Sequence, residues 1–205
     1  MGISVKQFEA LKSRLSSGKP SRTGDKPDGS SNSESRQERH SVILGIDPSM
    51  RGTGYGIVRF EKPHPVALAH GRVSCPSAWE HSRCLLQIFQ TLRDVIKEHR
   101  PTVCAVEGLF FAQNLKTALI MGEARGAALA AVAEAGLDVY EHAPRRVKQA
   151  IVGYGAAQKL AVAKMVQRML KMPDLPDADA ADALAVALTH AQGASRFSLS
   201  PAKRC

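Results

Sequence analysis

SVILGIDPSMRGTGYGIVRF, residues 41–60, decides how the rest of the chain is read. It opens as a short apolar run ending in a carboxylate, Asp47, and resumes after a turn as a second segment, TGYGIVRF. Apolar runs of this length, bounded by Gly and Pro, are buried strands. A carboxylate closing such a run is costly unless it is paired or holds a cation. The stretch therefore predicts two strands, with an acid of functional interest at the end of the first. Pro48, Gly52, Gly54 and Gly56 are read as the tight reversal between them.

Working outward, PVALAHGRVS (65–74) extends the pair to an antiparallel meander of three strands. AWEHSRCLLQIFQTLRDVIKEHR (78–100) then places Leu85, Ile88, Phe89, Leu92, Val95 and Ile96 at helical spacing, and Pro101 stops it. TVCAVEG is a fourth strand that again ends in an acid, Glu107. A long alanine-rich helix (114–136), a fifth strand GLDVYEH, and helices near 144–151 and 156–170 follow. A last helix starts near Pro176 or Asp177 and runs to about His190. The order β-β-β-α-β-α-β-α-α-α makes the fourth strand parallel to an earlier one. The predicted fold is α/β, a mixed five-stranded sheet flanked by helices. Gly122 and Gly126 sit within the long helix, where glycine is costly, which predicts close approach by the sheet or by a second subunit.

With 205 residues, 44% of them apolar, the chain is long enough for one domain with a sizeable core. Residues 41–192 are assigned to that domain. Residues 1–40 are rich in Ser, Gly, Pro and mixed charge, carry +3 of the net +9, and are expected to be a disordered extension. Residues 193–205 are expected to be a flexible tail. No run of apolar residues is long enough to span a membrane, and the start shows no secretory or myristoylation pattern, so a cytoplasmic location is expected. Cys75, Cys84, Cys104 and Cys205 form no zinc-type spacing and are read as reduced thiols. The basic charge favours a polyanionic partner. The aromatic content of 5% argues against a stacking platform of many rings.

Parallel first and fourth strands bring Asp47 and Glu107 to one sheet edge, where ligands of α/β sheets gather. In PDADAADALAVALTH, Asp179 and Asp182 share one face of the last helix. Two readings are open for this pair: capping of the helix start, or a metal site completed by the strand-end acids. Four carboxylates suit magnesium or manganese and are enough for two ions about 4 Å apart, as in two-metal phosphodiester hydrolysis. His142 and His190 are possible helpers or structural residues. Arg145, Arg146, Lys148 and Lys159 surround a glycine-bearing turn suited to phosphate, and Arg51 is a further candidate. Phe110 and Phe111 follow Glu107, either as core rings or at the rim against bases. The glycine-bearing first turn also suits an ATP phosphate, but it matches no Walker or Rossmann pattern and the chain shows no second related domain.

Taken together, ILGIDP, TGYGIV, VEGLFFAQN, MGEARGAAL, RRVKQAIVGYGAAQK and PDADAADALAVALTH resemble the bacterial crossover-junction endodeoxyribonucleases of the RuvC family, the Holliday junction resolvases. The resemblance covers about residues 42–192. It implies a ribonuclease H-like fold and a homodimer that makes paired symmetric cuts at a four-way DNA junction with magnesium. It also implies a branch-migration complex of the RuvA–RuvB type as partner. Asp47, Glu107, Asp179 and Asp182 fall on the family's catalytic acids. Phe110 falls on its junction-handling aromatic, and Lys148 and Lys159 on basic residues near the scissile phosphate. One departure is Ser49, where the family usually has Gly after the GIDP motif; it puts the geometry of that turn in question.

Overall fold

The structure, a computed structural model, describes residues 40–61, 63–108, 114–195 and 203–204. Strands β1 (Val42–Asp47), β2 (Gly52–Arg59) and β3 (Val66–Ser74) lead into helix α1 (His81–His99). Then come β4 (Val103–Glu107), α2 (Leu115–Glu134) and β5 (Val139–His142). Helices α3 (Pro144–Val152), α4 (Lys159–Met169) and α5 (Ala178–Ser195) follow, with a two-residue β6 (Lys203–Arg204). The sheet order is β3-β2-β1-β4-β5-β6. β1 pairs antiparallel with β2 and parallel with β4, and β4 pairs parallel with β5, so the sheet is mixed as expected. Part of the expected tail over 193–205 lies outside the described residues. α5 continues to Ser195, and β6 pairs with β5, where Arg204 forms an ion pair with Asp138.

Alternation along the strands sorts side chains to two faces. Leu44, Ile46, Ile57, Cys104 and Val106 enter a core with Cys84, Ile88, Leu92 and Ile96 of α1 and the alanine face of α2. Ile43, Val58, Val103 and Ala105 enter a second core under α3, α4 and α5. Two helices end at left-handed caps. Arg100, at φ 47°, closes α1 before Pro101, and Gly153, at φ 85°, closes α3. Asn114 starts α2 by accepting from Thr117 N at 2.8 Å.

The glycines of the opening stretch do something other than turn the chain. The reversal occupies residues 48–51, while Gly52, Gly54 and Gly56 lie within β2. They are two apart, so they share a face, and Gly45 of β1 pairs with Gly56 on that face. Helix α5 lies in the resulting lane. A Cβ on Gly54 would sit 1.9 Å from the Asp179 carbonyl, and one on Gly45 would sit 2.0 Å from the Ala183 carbonyl. Gly122 and Gly126 show the reverse: a Cβ at either meets nothing within 4 Å among the described residues, so the sheet does not explain them.

No helix among the described residues is long and apolar enough to cross a membrane. Cys75, Cys84 and Cys104 are buried and form no disulfide among the described residues, and burial pushes the Cys75 thiol up to about 11.

Candidate active site

Asp47 and Glu107 end adjacent parallel strands; Ile46 pairs with Val106, which sets the two acids side by side at the carboxyl edge of the sheet. Their carboxyls are electrostatically coupled. Burial is the first cause of their raised proton affinity, lifting Asp47 to about 6 and Glu107 to about 8. For Glu107 the next cause is the Asp47 charge; for Asp47 the Glu107 carboxyl acts in the opposite direction. Burial and the paired charges therefore hold protons on this pair to higher pH than on ordinary carboxylates. Arg125 braces this end of β4: it donates to the Glu107 carbonyl at 2.7 Å and to Glu141 Oε2 at 2.5 Å. Its side chain is largely buried and joins β4 to β5.

The start of α5 separates capping from the other acids. Asp177 takes the cap, its Oδ1 accepting from Asp179 N at 3.0 Å and its carbonyl from Ala181 N at 2.7 Å. Asp179 and Asp182 are thus not needed as caps. Asp182 accepts from Lys159 Nζ at 2.7 Å, and Asp179 Oδ2 lies 2.9 Å from Arg72 Nε. The Asp182 hydrogen bond raises the Lys159 pKa first, and burial partly opposes it. Asp182 and Asp179 both raise the proton affinity of Asp47, which places the four acids in one electrostatic neighbourhood.

An open cleft of about 180 Å³ runs beside them, lined by Glu107, Asp182, Lys148, Lys159, Pro144, Val147 and Val162. It brings two of the sequence-predicted acids together with two of the sequence-predicted cations. As the side chains stand, no three of His, Cys, Asp and Glu among the described residues are close enough to hold a metal ion. The donor set still fits one. All four groups are hard oxygen ligands, and two cations, Lys159 and Arg72, stand where divalent charge would neutralise them.

The remaining candidates divide. Ser49 fits its turn without strain: Ser49 N donates to Thr53 Oγ1 at 3.1 Å, and Thr53 Oγ1 donates to the Ser49 carbonyl at 2.6 Å. Its φ is not positive, so the turn does not demand glycine. Arg51, expected against phosphate, instead donates to the carbonyls of Pro76 and Trp79 at 2.5 and 3.0 Å and reaches Cys84 Sγ at 3.2 Å, tying the turn to the approach to α1. Arg145 is exposed on α3 and Arg146 half-buried. Phe110 and Phe111 lie outside the described residues. His142 and His190 are buried and hydrogen-bonded at 3.1 Å; His190 also meets His40 at 2.7 Å. Burial drives His142 down to about 4 and His190 to about 3, so both are neutral rings in the packing between β5 and α5. Arg72 was not singled out by sequence. In VALAHGRVS a lone cation reads as a solvent-facing strand residue, and nothing in one sequence shows what pairs with it.

Comparison with known proteins points one way. A family model described as crossover junction endodeoxyribonuclease RuvC matches residues 43–190. A Vibrio cholerae protein of that description is 48% identical over 151 residues, spanning 74% of this chain and 87% of its own. A Chloroflexus aurantiacus protein of the same description is 45% identical over 161 residues, spanning 77% and 98%. Among solved structures, Thermus thermophilus RuvC in complex with a Holliday junction substrate superposes with a TM-score of 0.74 at 36% identity, covering 81% of this chain and all of that one.

Proposed function

The chain belongs to the RuvC family of crossover junction endodeoxyribonucleases, and from that premise we propose that it resolves four-way DNA junctions by paired symmetric strand cleavage. Magnesium dependence comes with the family. We assign the metal ligands to Asp47, Glu107, Asp179 and Asp182, with two ions in the working centre and manganese able to substitute. When bound, such ions activate water and neutralise charge on the leaving oxygen.

The observation that carries the reading is the cleft, in which Glu107 and Asp182 face Lys148 and Lys159 across a space open to solvent. Acids alone repel a phosphodiester, and lysines alone only bind it. Together they hold the backbone beside a cation-hungry centre. Lys159, hydrogen-bonded to Asp182, and Lys148 line the cleft where, with divalent ions on the carboxylates, they would hold the scissile phosphate. Arg145 and Arg146 on α3 extend this basic surface, with the Phe110–Phe111 segment proposed to handle the unpaired bases at the branch. Arg51, held by its internal partners, is not given a phosphate.

Paired cuts need two sites, so the working form is a homodimer. Its contact is proposed on α2, where Leu115, Leu119, Gly122 and Gly126 share one helical face. Leu115 and Leu119 are strongly exposed, and nothing among the described residues approaches the glycines. A branch-migration complex of the RuvA–RuvB type, acting in the cytoplasm, completes the proposal.

The test compares a four-way junction with a linear duplex, a flap and an RNA–DNA hybrid, with and without magnesium. Symmetric cutting of the junction alone is expected, and equal cutting of the hybrid would sink the reading in favour of another ribonuclease H-like nuclease. Asp47→Asn should lower cleavage by about 10³-fold or more while binding is nearly kept. Wild-type rates in that variant would refute the centre.

A further inference from the structure

Arg72 occupies one end of a row that crosses the sheet through the acids. Gly54 pairs with Arg72 across β2–β3 and with Asp47 across β1–β2. Asp47 stands beside Glu107, and Glu107 pairs with His142. Residues opposite one another in a sheet send their side chains to the same face. Gly54 sends none, because the Asp179 carbonyl fills that space. Arg72 reaches past the gap, and its Nε meets Asp179 Oδ2 at 2.9 Å. The ion pair lies directly over Gly52, where a Cβ would come within 2.7 Å of both Arg72 Nε and Asp179 Oδ2. Two glycines of one strand face thus clear the room in which helix α5 and this ion pair fit.

We propose that Arg72 is a resident counter-cation of the centre: it neutralises Asp179 in the metal-free protein, yields Oδ2 when a divalent ion binds, and then offers its guanidinium to the DNA backbone. The proposal rests on Asp179 being a metal ligand and the cleft being the path of the cut strand. Lys159 does the corresponding work for Asp182 on the other flank, at 2.7 Å. The centre therefore has a cation on each side. Arg72 is free to exchange partners because its side chain is 43% exposed, against 25% for Asp179, so its release opens no core. A planar guanidinium that leaves a carboxylate suits a phosphate with little change of geometry.

Competition sets the sign of the effect. A cation hydrogen-bonded to a ligand oxygen weakens that ligand for any incoming ion, by at most about fivefold for a pair this exposed. Removing it must tighten metal binding, whereas a residue that merely holds Asp179 in place would loosen it on removal.

The experiment measures manganese binding by calorimetry on the full chain without DNA. Arg72→Gln is expected to bind manganese about two- to fivefold more tightly than wild type. Arg72→Lys, which keeps the charge, should stay near wild type and guards against a folding artefact. In an Asp179→Asn background, the gain from Arg72→Gln should vanish. Junction binding in calcium should weaken several-fold in R72Q, with a salt slope shallower by about one counterion. Manganese affinity in R72Q equal to or below wild type would overturn the proposal. Unchanged junction binding would overturn its phosphate half. A wild-type protein that binds manganese but leaves junctions uncut would strike the resolvase reading and not this one, because the metal measurement uses no DNA.

Discussion

The two faces of the sheet solve the packing problem differently. Under α1 and α2, Leu44, Ile46, Ile57 and Val106 meet Ile88, Leu92 and the alanines of α2 in an aliphatic core. Under α5, the same strands offer Gly45, Gly52, Gly54 and Gly56: the helix backbone comes down onto Gly45 and Gly54, the Leu184 side chain onto Gly56, and the Arg72–Asp179 pair onto Gly52. One face uses side-chain volume, which tolerates trimming. The other uses its absence, which tolerates no addition. The glycine face is also the one that carries Asp47 and Glu107. Close approach of α5 is what brings Asp179 and Asp182 to acids that belong to strands.

The largest break in this contrast is Gly54→Ala. Its methyl would lie 1.9 Å from the Asp179 carbonyl, a backbone atom that only a shift of α5 can move. We expect a loss of about 3 kcal/mol or more in urea unfolding and at least about 100-fold in junction cleavage. Ile57→Val, three residues further along β2 on the opposite face, should cost about 1 kcal/mol and leave cleavage per folded molecule unchanged. If the alanine variant keeps wild-type stability and rate, α5 does not depend on the lane.

This is also where the sequence was least legible. Strand-end acids showed plainly, because a carboxylate after an apolar run is anomalous at any register. Asp47 and Glu107 could be read from the chain for that reason. The β2 glycines suggested a turn, since a residue without a side chain signs neither turn nor close contact until its neighbour is known. Arg72 was illegible on the same ground: its partner is 107 positions away and on another element. Arg51 looked like a phosphate ligand because nothing local shows that two carbonyls of the 76–79 loop turn towards it. The run Asp177, Asp179, Asp182 held a cap and two site acids, and only the helix start separates them. The element order itself was readable from periodicity and from Pro101 as a stop.

A second contrast between the faces is electrostatic, and pH exposes it. Glu107 is raised by burial to about 8 in the fold, against an ordinary value of 4.5. The folded state therefore binds a proton that the unfolded state releases, and stability of the metal-free protein falls as pH rises from 4.5 to about 8. Asp47, raised to about 6, adds loss of the same sign from 3.8 upward. His142 works in the opposite direction, with stability falling as pH drops from 6.5 to about 4, because its folded value is depressed. Above pH 6.5 the histidine contribution is complete and the carboxyl effect stands alone. Glu107→Gln should then stabilise the metal-free protein at pH 8 by about 1–2 kcal/mol and change little at pH 4.5. Thermal melts in chelator across that range measure it. A variant that melts with the same pH slope as wild type would show that burial holds no proton on Glu107. In the wild type, magnesium affinity should climb over the same interval, since loading displaces that proton.

The smallest expected effect tests the outer side of the aliphatic layer. Gly126 lies within α2, and a Cβ there meets nothing among the described residues. For an isolated chain, Gly126→Ala should therefore stabilise the helix by about 0.5–1 kcal/mol, through the lost freedom of the unfolded chain. If α2 of a second copy packs against this face, the same methyl stands between two backbones and weakens association. The two effects have opposite signs and different concentration dependence, so unfolding and light scattering over a dilution series separate them. We expect a more stable monomer and a weaker dimer. A more stable monomer with unchanged association would move the dimer contact away from α2. It would also leave Gly122 and Gly126 without a role in the molecule, a costly pair of glycines in the middle of a twenty-residue helix.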